Sequence, residues 1–531
     1  MKKKKTLKYL LITLLVVAFQ SCDDFVEVAP AGPDSADYFN SAGEYEDALI
    51  GAYDLLQATF WNNTLAVAAS DDFGSGGDAF NYDQPVIQNV NYMIQTPADE
   101  EQLRSIWQLM YAGLNRVNYL LENKDKTEFA GRDEVVAQAY FLRAYYTFEL
   151  AKFYGNIPLK VEERNGVSRI ADKQTLAGDQ FKLERTASIA AVYGLIEEDL
   201  KEAIPNLPIS QNLAYKVTKG AAQALLGKVY LYHGKFDQAK YGDAATVLNQ
   251  VISSNKYSLV TGDDYTNLFT TVGENGPESV FEIQYSNLEG AGWECLQCSE
   301  GSYFVQFNGP RNAYDIYAAG WGFFLPSQAL YDTFDSDDLR RDITILDLRE
   351  VKALQEATNP VPSVYNSARE DTGFYNQKYV PRKSDKADNA STQELVHKNN
   401  YRAIRYADVL LMAAEAEAQS GGTNAADYLN EVRARAYGNN NHEYASSEGT
   451  LLDVIFNERR KELAGEGHRF FDLVRTGRAK AAFDTYNANK PSGFVDVIFT
   501  VNKNEIFPIP TVELELANAK ERWGQNPGYT N

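Results

Sequence analysis

The chain has 531 residues, 44% hydrophobic and 23% charged, ordinary globular values that exclude a disordered or collagen-like polypeptide. Against 51 Lys plus Arg stand 73 Asp plus Glu, a net charge of −22. A surface of that sign repels a phosphate backbone, so nucleic acid is not expected as a partner. Aromatic residues make up 12%, with 34 Tyr, 27 Phe and 5 Trp. That is more than packing asks for, and aromatic faces are what a sugar-binding surface needs, although most of these rings must be core.

Lys2 to Lys5 and Lys8 precede an apolar run from Tyr9 to Phe19, the layout of a secretory signal. The run reaches only about half of a ~30 Å hydrocarbon core, so it is not a spanning helix. Cys22 comes directly after and resembles the acylation site of a bacterial lipoprotein. The expected layout is a signal peptide over 1–21, a lipid-bearing Cys22, and a tether to residue 42. Removing 1–21 takes five lysines away and moves the net charge from −22 to −27.

From 43 to 260 the apolar spacing is helical. Trp61, beside Asn62 and Asn63, is placed in a loop as a candidate ligand contact. Ser70 to Pro85 is a Gly-rich irregular stretch holding Phe73, Phe80 and Tyr82. Trp107 sits on a helix and is assigned to packing. Val135 to Tyr154 reads as a helix stopped by Gly155 and Pro158. From Thr218, Leu226-Gly227-x-x-Tyr230-x-x-x-Gly234-x-Phe236-x-x-Ala239 resembles the first helix and turn of a tetratricopeptide repeat. In such a repeat small residues let two helices approach while the Tyr and Phe fill the groove. Asp243 and Thr246 depart from the second helix of that pattern.

Between about 261 and 400 the texture changes. Phe281, Ile283 and Tyr285 alternate with Glu282 and Gln284, a strand signal, and Gly and Pro punctuate the residues after it. Loops on a rigid scaffold concentrate binding residues. Trp293, Tyr303, Tyr314 and Trp321, flanked by Gln306, Asn308, Arg311 and Asn312, are the candidate ligand contacts, although Trp321 also fits a packing role. Cys295 and Cys298 form a single Cys-x-x-Cys, half of a zinc site. His233, His397, His442 and His468 stand at no finger spacing, so a local disulfide is preferred to a metal. No metal or other cofactor is expected. Asp335, Asp337 and Asp338 lack the rest of a calcium loop and read as a solvated acidic turn.

From 401 to 531 helices return. Tyr406, Val409, Leu410, Ala413 and Ala414 share one face, and a second helix comes after the Gly421-Gly422 turn. Glu458, Glu462 and Glu466, interleaved with Arg459, Arg460 and Arg469, read as an ion-pair network rather than a catalytic set. Trp523 is assigned to packing. The fold class is mainly α, a tetratricopeptide-like α-solenoid carrying a loop-rich insert with a few short strands. No metalloprotease, nucleophile-elbow, phosphate-loop or dinucleotide motif is present. A glycoside hydrolase remains an alternative, because its carboxylate pair is found in space and not in sequence.

Four motifs then converge. Ile455-x-x-Glu458-Arg459-Arg460-x-Glu462-Leu463-x-x-Glu466-Gly467-His468-Arg469-Phe470-Phe471-Asp472-Leu473-x-Arg475 resembles a signature of the SusD/RagB outer-membrane lipoproteins. So do the Arg143 to Leu159 stretch, Phe507-Pro508-Ile509-Pro510, and Gln525-Asn526-Pro527-Gly528-Tyr529. Gly320-Trp321-Gly322 with Pro326 also resembles a motif of this family. The resemblance implies a non-catalytic surface protein that binds glycan and caps a SusC-like TonB-dependent barrel as a hinged lid. It implies an outer-membrane position facing the exterior, with Asp23 and Asp24 as an acidic export tag. Some members take peptides, so a peptide ligand is the alternative within the family.

Overall fold

Helices packed in antiparallel succession form the body. In the computed structural model, which describes residues 38–173, 183–288, 300–359, 364–386 and 392–530, the first helix, α1 (Ala42–Asp54), starts at a capping box. The Ser41 hydroxyl accepts from the Glu44 amide, and the Glu44 carboxylate accepts from the Ser41 amide. There follow α2 (Phe60–Ala68), strand β1 (Phe73–Gly76), α3 (Glu101–Glu122) and α4 (Arg132–Tyr154), which ends where Gly155 takes φ +74. A small hairpin, β2 (Val161–Arg164) and β3 (Val167–Ile170), precedes α5 (Ile189–Ala203), α6 (Lys219–His233) and α7 (Ala239–Ser253). From α4 to α7, each helix packs on its predecessor.

The repeat motif explains the α6–α7 contact. A Cβ on Gly227 would stand 2.5 Å from the Leu248 side chain, so only glycine admits α7 this close. Tyr230 is buried in the groove, as expected of the motif, whereas Phe236 is 51% exposed. The turn at Gly234 aims Phe236 outward, so it does not fill the groove.

After α7 the chain leaves the helical array. Strand β4 (Ser279–Ile283) pairs antiparallel with β8 (Tyr401–Arg405), so the two ends of the insert are joined at its root. Between them lie α8 (Tyr303–Phe307), β5 (Phe323–Pro326), β6 (Ile345–Asp347), α9 (Leu348–Thr358) and β7 (Phe374–Asn376). Tyr314, Tyr317, Leu325, Leu346, Tyr375 and Val380 give the insert a small core of its own. The chain re-enters the array with α10 (Tyr406–Ser420), which packs directly on α7, then α11 (Ala425–Tyr437), α12 (Leu451–Glu462) and α13 (Arg469–Arg475). Gly421, at φ +79, makes the turn between α10 and α11.

The root of the insert is a buried charge network built from the 455–475 motif. Arg405 donates to Glu278 at 2.7 Å, to Glu462 at 2.9 Å and to both oxygens of Glu466 at 2.8 and 2.9 Å. Arg435 bridges Glu278 at 2.9 Å and Glu462 at 2.6 Å, and Lys378 reaches Glu466 at 2.7 Å. Burial opposes ionisation here, yet Arg435, Arg405 and Arg340 outweigh it and hold Glu462 at about 2. Asp338 is not part of a solvated turn. It is buried and bound two-fold by Arg340 at 2.6 and 2.8 Å. Asp335 and Asp337 stay outside: Asp335 accepts from the Tyr437 hydroxyl, and Asp337 meets His442.

Candidate functional site

Three segments distant in sequence meet at one face of the insert. β1 runs antiparallel to β5, with Phe73 opposite Pro326 and Gly76 opposite Phe323. The Gly77 amide donates to the Gly322 carbonyl at 2.7 Å, and a Cβ on Gly76 would lie 2.1 Å from that oxygen. Both positions therefore require glycine, and Gly76 and Gly77 also carry positive φ. The third segment joins through an Asp78–Ala368 bridge and the Arg369 amide, which donates to the Gly77 carbonyl at 3.2 Å.

Past this junction the chain makes a tight exposed turn. One Asp78 oxygen accepts from the amides of Phe80 and Asn81 at 2.9 Å each and from the Asn81 side chain at 3.0 Å. Those amides hold the Asp78 carboxyl below the usual carboxylate range, helped by Arg311. Arg311 donates to the other Asp78 oxygen at 3.2 Å and to the Trp321 carbonyl at 3.1 Å, tying the turn to the β5 segment. Asn312 accepts from the Asn366 amide at 3.1 Å, which ties that segment to the third. The Arg369 guanidinium lies 5.2 Å from the centre of the Tyr82 ring. The turn leaves Phe80 92% and Tyr82 41% exposed, and the half-buried Trp321 belongs to the segment that Arg311 ties to it.

The structure separates the sequence-derived candidates. Trp61 is not in a loop: it lies inside α2, 6% exposed, because its neighbour Asn62 donates to Glu149 at 2.8 Å and the helix continues through both asparagines. Tyr303 is buried at the start of α8. Trp61 packs edge-on against it at 5.4 Å, and Tyr303 in turn meets Trp321 at 5.1 Å and 79°. Phe307 meets Trp321 at 4.9 Å and 85°. Trp61 and Tyr303 thus form the floor under Trp321 rather than a platform of their own. Tyr314, 1% exposed, donates its hydroxyl to the Val364 carbonyl at 2.5 Å and belongs to the insert's core. Arg311, Asn312 and Trp321 do come together at the face. Trp293, Cys295, Cys298 and Cys22 lie outside the described residues.

Sequence reasoning singled out the 70–85 stretch but made no candidate of Phe80, Tyr82 or Arg369. The available signal was Asp78-Ala-Phe80-Asn81-Tyr82-Asp83, aromatics inside an Asx-rich turn. Such a turn displays rings that nothing behind it can bury.

The comparisons fit this architecture. The sequence profile described as "SusD family" matches residues 277–529, and that described as "Starch-binding associating with outer membrane" matches 25–231. A solved "Laminarin binding SusD-like protein" is 32% identical, with a TM-score of 0.77, over 92% of this chain and 100% of its own. The chain belongs to the SusD family. Surface glycan-binding protein A from Bacteroides thetaiotaomicron, solved in complex with laminarihexaose, is 28% identical with a TM-score of 0.78, over 91% of this chain and 99% of that one. SusD-like protein P2 of Formosa agariphila is 27% identical over the full length of both chains. Within this SusD chain the Gly320–Pro326 motif shapes the face, and the 455–475 motif holds the scaffold beneath the insert.

The face offers aromatic planes, amides and paired charges. Arg311 faces Asp78 at 3.2 Å and Asp83 at 3.9 Å, so its charge is met internally. Among the described residues no cluster of His, Cys, Asp or Glu is arranged to hold a metal ion, and no helix is long and apolar enough to cross a membrane.

Proposed function

We propose that this protein is a non-catalytic surface lipoprotein that binds a neutral, laminarin-type oligosaccharide at the Phe80–Tyr82–Trp321 face. It hands the glycan to a SusC-like TonB-dependent transporter that it caps in the outer membrane, facing the exterior and anchored by lipid on Cys22. The observation that carries the reading is the exposed aromatic turn of a chain 32% identical to a laminarin-binding SusD-like protein. Flat C–H faces of sugar rings stack on exposed aromatics, and hydroxyls take the amides and guanidiniums beside them. The Arg311 charge is matched internally, which, with the acidic chain, favours a neutral ligand over a polyanion.

Non-catalytic binding fits the carboxylates present. Asp78 is fully engaged in shaping the turn and is kept ionised, and Glu370, whose carboxyl burial raises, is taken up by the Tyr92 hydroxyl at 3.2 Å and the Val495 amide at 2.5 Å. In the domain layout proposed here, 22–42 is the lipidated tether, 43–260 and 401–531 make the scaffold, and 261–400 carries most of the ligand contacts. Trp293, on a loop that a Cys295–Cys298 disulfide would stiffen, is proposed as a further contact.

Calorimetric titration of the mature protein tests the reading. Binding of laminarihexaose is expected, with no heat from a uronic-acid oligosaccharide or a peptide mixture and no new reducing ends after prolonged incubation. Affinity for peptides alone, or release of reducing ends, would replace this function with uptake of peptide or with hydrolysis. Cys22→Ala should move the protein to soluble fractions in cells lacking the barrel partner, since a single lipidated residue is the proposed anchor.

A further inference from the structure

Beside the aromatic face, on the other side of the 364–371 segment, lies an open cleft of about 570 Å³ between that segment and α9. We propose that this cleft is a second carbohydrate subsite, receiving the continuation of an oligosaccharide whose first rings lie on Phe80, Tyr82 and Trp321. The inference rests on the glycan-binding reading and extends it to ligand length.

The cleft has the composition of a sugar site. Tyr365, 38% exposed, stands on one wall with Ser367 and Asp371, and Arg349 and Lys352 of α9 stand opposite. Every charged group on it already has an internal partner. Arg349 binds both oxygens of Asp347 at 2.6 and 2.8 Å, and its guanidinium lies 4.5 Å from the Phe374 ring. Lys352 pairs with Glu356 one turn along α9. Asp371 accepts from the Tyr365 hydroxyl at 2.6 Å and from the amides of Ala368 and Gly373 at 2.9 and 2.8 Å. A charged ligand would have to displace one of these partners. A neutral polyhydroxylated one needs only the remaining lone pairs and N–H groups, with the Tyr365 ring as an apolar surface.

The cleft and the face share a wall. Asn366 and Arg369 turn to the Arg311–Tyr82 side, while Tyr365, Ser367 and Asp371 line the cleft. From Tyr365 to Arg369 the backbone spans at most ~14 Å, within the length of a few sugar rings. The arrangement is held in place: the Asp315 amide donates to Gln355 of α9 at 3.2 Å, and the Leu348 amide to the Gly373 carbonyl at 3.0 Å. A Cβ on Gly373, at φ +76, would meet the Arg349 side chain at 3.0 Å, so glycine lets α9 close on the wall.

The test is chain-length dependence, measured by calorimetry with laminaritriose and laminarihexaose on the mature protein. The hexaose should bind about 3- to 10-fold tighter than the triose, the effect of one added aromatic contact. Tyr365→Ala should remove that gain and leave the triose unaffected. Ala353→Trp, which fills the cleft from the exposed side of α9 without touching the core, should do the same. Tyr365→Phe, which keeps the ring and gives up only the bond to Asp371, should retain the gain. The subsite is overturned if triose and hexaose bind wild type equally, or if Ala353→Trp and Tyr365→Ala both keep the full hexaose advantage. Failure of the underlying function looks different, because then neither oligosaccharide binds at any length.

Discussion

Arginine and carboxylate meet in two places in this molecule, with opposite consequences. At the insert's root, Arg405, Arg435, Glu278, Glu462 and Glu466 are buried together, each ion held by several partners at 2.6 to 2.9 Å. At the proposed glycan face, Arg311 and Asp78 meet at 3.2 Å with about a quarter of each side chain in water. Burial multiplies the cost of leaving a charge alone, so the root network fixes how the insert sits on the helices. Water screens the surface pair, which sets the shape of one turn and contributes little to stability. The same residue types are thus architecture in one place and the frame of a binding surface in the other.

Removing one partner from the root should have the largest effect. Glu462→Gln leaves Arg405 and Arg435 short of a counter-charge in a dry site, and a loss of about 3–5 kcal/mol is expected. A lower melting temperature with unchanged glycan affinity per folded molecule is the predicted result. The sign of the pH dependence comes from the same group. Its folded value is depressed to about 2, so its stabilisation is present above the ordinary glutamate range near ~4.3 and is lost as pH falls toward 2. Glu462→Gln should therefore flatten the acid limb of a melting-temperature profile.

Trp61 and Phe80 sharpen the contrast between floor and platform. Trp61→Ala opens a cavity beneath Tyr303 and Phe307, the rings on which Trp321 rests, and should cost about 3–5 kcal/mol of stability. Phe80→Ala should weaken laminarihexaose binding by about 1–3 kcal/mol, with stability within ~0.5 kcal/mol of wild type. Melting and titration of the two variants side by side would break the comparison if the effects came out reversed.

Glu274 titrates in the opposite sense to Glu462. Burial raises its carboxyl to about 7, and Arg402 at 3.8 Å offsets this only in part. A raised carboxyl favours the fold at low pH, and that contribution disappears as pH rises through 7. Glu274→Gln, which keeps an acceptor for the Asn400 amide at 2.9 Å, should match wild type near pH 5 and exceed it by about 1–3 kcal/mol at pH 8. The smallest effect is expected of Arg369→Ala. Losing the contact with Tyr82 should cost about 0.5–1 kcal/mol of glycan affinity at an exposed site.

The scaffold is largely legible in the sequence because its signals are local. Tyr406, Val409 and Ala413 are buried in α10 as their spacing suggests, although the helix is buried on every side from Tyr406 to Glu417, and Gly155 and Gly421 end their helices by adopting positive φ. The interleaved Glu and Arg of 458–469 announce ion pairs, although their partners Arg340, Arg405, Arg435, Asp408, Asp72 and Asp71 come from elsewhere in the chain. The binding face is legible only in pieces. Asp78, Arg311 and Arg369 are far apart in sequence and meet through a strand pair and a bridge that no local pattern encodes. Asn62 and Asn63 suggest a loop around Trp61, but a tertiary partner for Asn62 on α4 overrides that preference and the helix runs through.

A crystal structure of the mature protein with laminarihexaose tests the central claim most directly. The account predicts sugar rings stacked on Phe80 and Trp321, with hydroxyls at Asn81, Arg369 and Asn312, and the reducing or non-reducing end extending past Tyr365. Ordered sugar on the helical array instead, in the groove between the 210–218 loop and β4 that Tyr257 and Glu282 line, with the Phe80 turn bare, would contradict it.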